Sequence, residues 1–278
     1  MKSLCIKLNN SEITDYLLNE FEHIDLDDLF ISSYHFKIYD NIILHYKGPF
    51  LDIFLDIVSE ILQSCIIDFF EENIINRILK INYFYFTPIE KKEILEFCCS
   101  YFYDDLEESS KRLSILKKSI SEYISSNKSI VLDGFVNFRI KSYVECLDDI
   151  VDLSVNNFLV EKEYKEFVSL LKIYINSKPS EAKLMHLIYS KSTSLLLDDK
   201  KNIIDITSTF HKAKYLSDIS FSSNDYILNA LLNYLPNKLI IHLADIKADA
   251  FIETLKTIFE SRVIICSDCC ICELYKGI

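Results

Sequence analysis

Only three glycines and four prolines occur in 278 residues, and the glycines at 48, 134 and 277 are far apart. A Walker A loop, a dinucleotide-binding Gly-x-Gly-x-x-Gly turn and a nucleophile elbow each need closely spaced glycines, so that backbone can approach phosphate or bend sharply. The chain holds none of these motifs. The same scarcity leaves no Gly/Ser or Pro-rich linker, which implies domains packed together rather than strung out. Positive charge is also short: 30 basic against 42 acidic side chains give a formal net charge of -12. That balance opposes phosphate-backbone binding and supplies no polybasic patch for an anionic membrane, so nucleic acid is not the expected partner.

Uninterrupted apolar runs are missing too. The opening MKSLCIKLNNSEITDYLL carries polar and acidic residues where a secretory signal would need a continuous apolar region, so a cytoplasmic location is expected. The most hydrophobic long segment, residues 49–70, is broken by Asp52, Asp56, Glu60 and Asp68, each costly at bilayer depth, and reads as a helix of a soluble protein with no membrane span. Nine cysteines, an odd number, with no export signal read as reduced thiols rather than a disulfide framework.

Half of the residues are hydrophobic, ample for a packed core. The pattern predicts an α+β fold in three segments. Residues 1–47 read as a small α/β cap: strand 4–8, helix 11–21, and strands 30–38 and 41–46. Residues 48–180 change to a 3.6-residue period and form a helical block, with Asp52, Asp56 and Glu60 as a solvated stripe and Thr87-Pro88 followed by Glu90 as a capped helix start. Residues 181–278 alternate strand and helix: a hairpin at 184–189 and 194–197, a helix at 223–235, a strand at 238–243, a helix at 249–259 and a closing strand at 262–266. That alternation implies an α/β layer with a mixed sheet.

Within the helical block, Val136, Ile140, Tyr143, Leu147 and Ile150 recur at steps of four and three and predict a core-facing helix stripe. After Asn156 and Asn157 a second phase places Tyr164, Phe167, Val168, Leu171, Tyr174 and Ile175 on one side, as in a second packed helix. Glu161 with Lys165, and Lys162 with Glu166, form exposed pairs four apart. Arg139 sits beside the apolar face and is the candidate for a buried ion pair or a ligand clamp.

The run FLVEKEYKEF at 158–167 and its surroundings from Gly134 to about Ile188 resemble the YtxC-like family of sporulation proteins from endospore-forming Firmicutes. The segment NALLNYLPNKLIIH extends the similarity into the C-terminal part. The resemblance implies a role in spore formation and carries over no site residue, because the family has no assigned catalytic residues.

The strongest local chemical signal is the tail, where Cys266, Cys269 and Cys272 form C-x2-C-x2-C. Thiolates at that spacing hold zinc or part of an iron-sulfur cluster. The ferredoxin pattern would require a further cysteine where Lys276 stands, so a fourth ligand must come from elsewhere. His186 and His242 lie mid-strand, and if their strands are neighbours both imidazoles approach Cys266; the ordinary alternative is a pair of neutral, hydrogen-bonded core histidines. The doublets Asp27-Asp28, Asp104-Asp105, Asp148-Asp149 and Asp198-Asp199 read as solvated turns and helix ends. The expectation is a noncatalytic factor acting through an unidentified protein partner and needing no cofactor. The alternative is a metal- or thiol-dependent enzyme or sensor built on the cysteine tail.

Overall fold

The computed structural model describes residues 1–104, 106–190, 194–206, 222–243 and 247–275. It is α+β, and it divides into two compact units, Met1–Val160 and Glu161–Ile278. The predicted cap and most of the predicted helical block therefore share one unit, because strand residues such as Leu4, Ile6 and Leu44 join helix residues such as Phe54, Leu116 and Tyr143 in a single buried cluster.

In the first unit, β1 (Lys2–Leu8) pairs antiparallel with β3 (Tyr39–Tyr46), which pairs antiparallel with β2 (Leu29–Phe36). A short β4 (Ser129–Val131), absent from the sequence reading, adds parallel to β1 and makes the order β2-β3-β1-β4. Helix α1 (Ser11–Glu22) starts where the Asn10 side chain accepts from the Glu12 amide at 2.9 Å. A long helical rod follows, α2 (Leu51–Ile66) and α3 (Glu72–Asn82) joined by one π-turn at Ile67–Glu71. Ile75 lies nine residues beyond Ile66, half a turn out of phase in a pure α-helix. The extra residue of the π-turn brings it back toward the apolar side, where Ile66, Ile74, Ile75, Ile78 and Leu79 are all buried.

Helix α4 (Pro88–Asp104) begins with the expected capping box, the Glu90 carboxylate accepting from both the Thr87 amide and hydroxyl at 2.8 Å. Helix α5 (Leu106–Ser126) presents Lys117, which bridges Asp56 at 2.7 Å and Glu60 at 2.8 Å, so the acidic stripe of α2 is an exposed ion-pair surface. The predicted helix from Val136 is two pieces, α6 (Leu132–Phe138) and α7 (Lys141–Ser177). The stripe prediction holds, with Val136, Ile140, Tyr143, Leu147 and Ile150 all buried. Asn156 and Asn157 do not end a helix: α7 runs through them because Val155 and Phe158 on either side are buried. In the C-terminal part of α7, Val168 and Ile175 face the core, whereas Tyr164, Phe167 and Tyr174 are exposed, which narrows the predicted second stripe.

The second unit carries a mixed sheet of order β6-β5-β7-β8. β5 (Met185–Tyr189) pairs antiparallel with β6 (Ser194–Leu197) and parallel with β7 (Leu239–Leu243), and β7 pairs parallel with β8 (Val263–Cys266). Helix α8 (Ser223–Tyr234) is opened by a reciprocal box between Ser222 and Asp225, and α9 (Ala250–Phe259) by the Asp249 side chain accepting from the Ile252 amide at 3.0 Å. Met185, Leu187, Leu239 and Ile241 cluster with residues of these two helices. A short α10 (Cys270–Leu274) ends the described chain.

Candidate metal centre

Strand periodicity puts alternate residues of β5 and β7 on opposite faces. Leu187 and Ile241 take the side of α8 and α9, which leaves His186, Ile188, Ile240 and His242 on the other. The parallel register sets His242 beside Ile188 of β5 on one flank and Cys266 of β8 on the other. After β8 the chain turns back, and Ile271 of α10 clusters with Ile188 and Leu197. Those contacts bring Cys269, the residue before α10, and Cys272, inside it, to His242.

The result is a convergence of four donors. Ligand atoms of His242, Cys266, Cys269 and Cys272 all lie within 4.8 Å of one another, the one such group among the described residues. His242 Nδ1 is 3.4 Å from Cys269 Sγ and 3.5 Å from Cys272 Sγ, while Cys272 Sγ is 3.6 Å from Cys269 Sγ and 3.8 Å from Cys266 Sγ. A tetrahedral ion with metal–sulfur bonds of about 2.3 Å and a metal–nitrogen bond of about 2.0 Å gives sulfur–sulfur edges of about 3.8 Å and nitrogen–sulfur edges of about 3.5 Å. Four of the six donor pairs sit at those edges, and the other two, Cys266 with His242 and with Cys269, lie within 4.8 Å. A disulfide would need sulfurs about 2.0 Å apart. An iron-sulfur cluster, with its cysteines on different irons, would need them spread beyond the span of a single ion.

The electrostatics fit a cation. Burial pushes the Cys272 thiol up to about 12, whereas Cys269 is lowered, chiefly by the Cys272 backbone amide that donates to it. A dication reverses the burial penalty on a thiolate by supplying the opposite charge. Both imidazoles are held below the usual histidine range, first by burial; the neighbouring His186 and then Lys201 add to the effect at His242, and Lys201 adds to it at His186. His242 is therefore neutral, the form that ligates. His186 stays outside the four-donor set and instead meets His242 from behind, its Nδ1 3.0 Å from His242 Nε2.

Arg139 corrects the sequence reading. It is exposed at the break between α6 and α7, and its backbone amide closes α6 on Phe135 O at 2.8 Å. The helical phase that would have carried it inward stops one residue before it. The buried arginine is Arg112 of α5, which pairs with Glu71 of the π-turn and lies 3.3 Å from the Tyr143 hydroxyl, with its guanidinium 4.1 Å from the Phe102 ring centroid. The Tyr143 hydroxyl donates to the same Glu71 carboxylate. No sequence signal marks this trio, because its members are far apart in the chain and each sits in an ordinary amphipathic pattern. Of the acidic doublets, Asp198 accepts from the Lys200 and Asn202 amides as a turn residue and Asp148 accepts from Asn82, while the Asp104 and Asp105 side chains lie outside the described residues.

The profile of the YtxC-like family matches residues 56–264, three quarters of the chain. The chain belongs to the YtxC-like family. A curated relative, the uncharacterized protein YtxC of Bacillus subtilis strain 168, is 23% identical over 136 residues, 47% of this chain and 46% of the relative, so the match spans less than half of either protein. No solved structure matches significantly. The family match stops at residue 264, just before Cys266, so it takes in His186 and His242 but not the three cysteines. Among the described residues no helix is long and apolar enough to cross a membrane.

Proposed function

We propose that this YtxC-like protein is a noncatalytic factor of spore formation, acting in the cytoplasm through protein contacts, and that its C-terminal tail is held on the sheet by one zinc ion bound to His242, Cys266, Cys269 and Cys272. The observation that carries the metal reading is the agreement of four of the six donor spacings, 3.4 to 3.8 Å, with the edges of a tetrahedral zinc site, all six lying within 4.8 Å. The sequence left the three thiols without a fourth ligand. His242 supplies one from a neighbouring strand. Four protein donors leave no open position for water or substrate, which favours a structural ion over a catalytic one. The sporulation role is supported by family membership and the noncatalytic role by the closed ligand set and the widely spaced glycines.

The metal reading is tested by anaerobic purification of the full chain and elemental analysis. About one zinc per chain, lost in Cys269→Ser and His242→Ala, is expected; no bound metal, or iron with sulfide in cluster ratio, refutes it. The physiological reading is tested by deleting the gene in its host and counting heat-resistant spores, where a normal count refutes it.

A further inference from the structure

We infer that His186 is a positioning residue of this centre: its Nδ1 accepts the Nε2–H of His242 and so turns the His242 Nδ1 lone pair toward the ion. The inference rests on the zinc reading above and adds to it a requirement outside the four ligands. His242 has its two ring nitrogens committed in opposite directions, Nδ1 toward Cys269 and Cys272 and Nε2 toward His186 at 3.0 Å. A ligating Nδ1 carries no proton, so the proton of the neutral ring is on Nε2. That N–H is buried with His242 at 3% exposure and needs an acceptor. His186, 7% exposed, is placed by the β5–β7 register two positions along on the same face, the two rings within 17° of parallel. With its Nδ1 accepting, His186 keeps its own proton on Nε2, and a second proton on its Nδ1 would set two N–H groups against each other.

The choice of a histidine as acceptor follows from charge. Three thiolates on a dication leave the centre at net −1. Metal-bound histidines commonly donate their second N–H to a carboxylate, a carbonyl or water; a carboxylate here would bring a buried centre to −2, whereas a neutral imidazole accepts the same hydrogen bond and adds no charge. Lys201, whose charge is felt at both rings, is of the sign that offsets the remaining −1.

The test uses the full chain loaded with cobalt(II) and then with zinc. Wild type must first show the thiolate-to-cobalt absorption of a tetrahedral site; if it does not, the zinc reading itself fails and this inference falls with it. Given that spectrum, His186→Phe, which keeps the ring volume and removes the acceptor, is expected to weaken zinc about 10- to 100-fold in competition with a chromophoric chelator, the usual loss for such an outer partner. His186→Gln, whose carbonyl can accept, is expected to recover most of it, an outcome that mere filling of space does not predict. Nitrogen NMR of the zinc form should show His242 protonated at Nε2 and metal-bound at Nδ1. Zinc affinity within twofold of wild type in His186→Phe, or ligation of His242 through Nε2, overturns the assignment.

Discussion

Arg112→Met tests whether the trio in the first unit is an electrostatic unit or ordinary packing. Glu71 and Arg112 are each 5% exposed and Tyr143 is fully buried, so solvent cannot replace a lost partner. Removing the guanidinium while keeping an unbranched apolar stem leaves the Glu71 carboxylate facing only the Tyr143 hydroxyl, and breaking a buried pair in this way costs about 3–5 kcal/mol. Burial already raises the Glu71 pKa above its ordinary value, against the lowering effect of Tyr143 and Arg112. Without Arg112 it must rise further, because the opposing charge is gone and burial remains. A raised carboxyl pKa gives stability that is complete below the unfolded value of about 4.3 and is lost as pH climbs through the folded value. The cost of Arg112→Met should therefore shrink as the pH is lowered and Glu71 takes up a proton. Hydrogen exchange on peptides from α3, α5 and α7 reads the first unit without assuming that the whole chain unfolds in one step. A loss below about 1 kcal/mol, or one that grows as the pH falls, refutes the reasoning. The double variant Glu71→Leu with Arg112→Met should recover much of the loss, since apolar replacements of a buried pair are often neutral.

Leu147→Ala should destabilise the first unit by about 2–5 kcal/mol, because Leu147 is fully buried in its core; unchanged exchange in α7 would show that the site collapses freely. Gly48→Ala should cost about 1–3 kcal/mol, since the new Cβ would lie 2.3 Å from the hydroxyl of Tyr46, a 1% exposed residue stacked on Phe54 and hydrogen-bonded to the Phe50 amide. Wild-type melting of Gly48→Ala would mean that the tyrosine ring moves aside at no cost.

Element existence was legible where its cause is local. Thr87 with Glu90, Ser222 with Asp225, and Asp249 cap helices through neighbours three residues away, and the sequence pattern carries that information. The reading failed where packing between distant segments decides. Asn156 and Asn157 lower helix propensity by under about 1 kcal/mol each, less than the burial of Val155 and Phe158 returns. β4 is three residues long and exists because Lys7, Ile6 and Cys5 of β1 offer an edge more than 120 residues earlier. The π-turn has no signature of its own, so Glu71 could not be assigned an inward direction. The same division runs through the metal centre. C-x2-C-x2-C and two mid-strand histidines were visible, but which histidine stands among the thiols depends on the order β5-β7-β8, and His242 joins them because its strand lies directly against Cys266.

If zinc is bound as proposed, that dependence makes the tail the most metal-sensitive part of the fold. Helix α10 has five residues, far below the length at which an isolated helix is stable. Ordering residues 267–275 over the sheet costs about 1–2 kcal/mol per residue in backbone entropy, so about 9–18 kcal/mol in all. Ile271 at 8% exposure and Cys272 at 0% return only about 1.5–3 kcal/mol each by burial. A structural zinc, at about 10–16 kcal/mol, is large enough to make up the difference. By contrast, β5, β7, α8 and α9 share a buried cluster that contains none of the four donors. Chelating the metal should therefore abolish exchange protection in 267–275 while leaving β5, β7, α8 and α9 protected. Equal protection of the tail with and without chelator would show that apolar contacts with Ile188 and Leu197 suffice to hold it. Loss across the whole unit would show instead that the ion organises the sheet itself, and that the helix-covered face has too little core to stand without it.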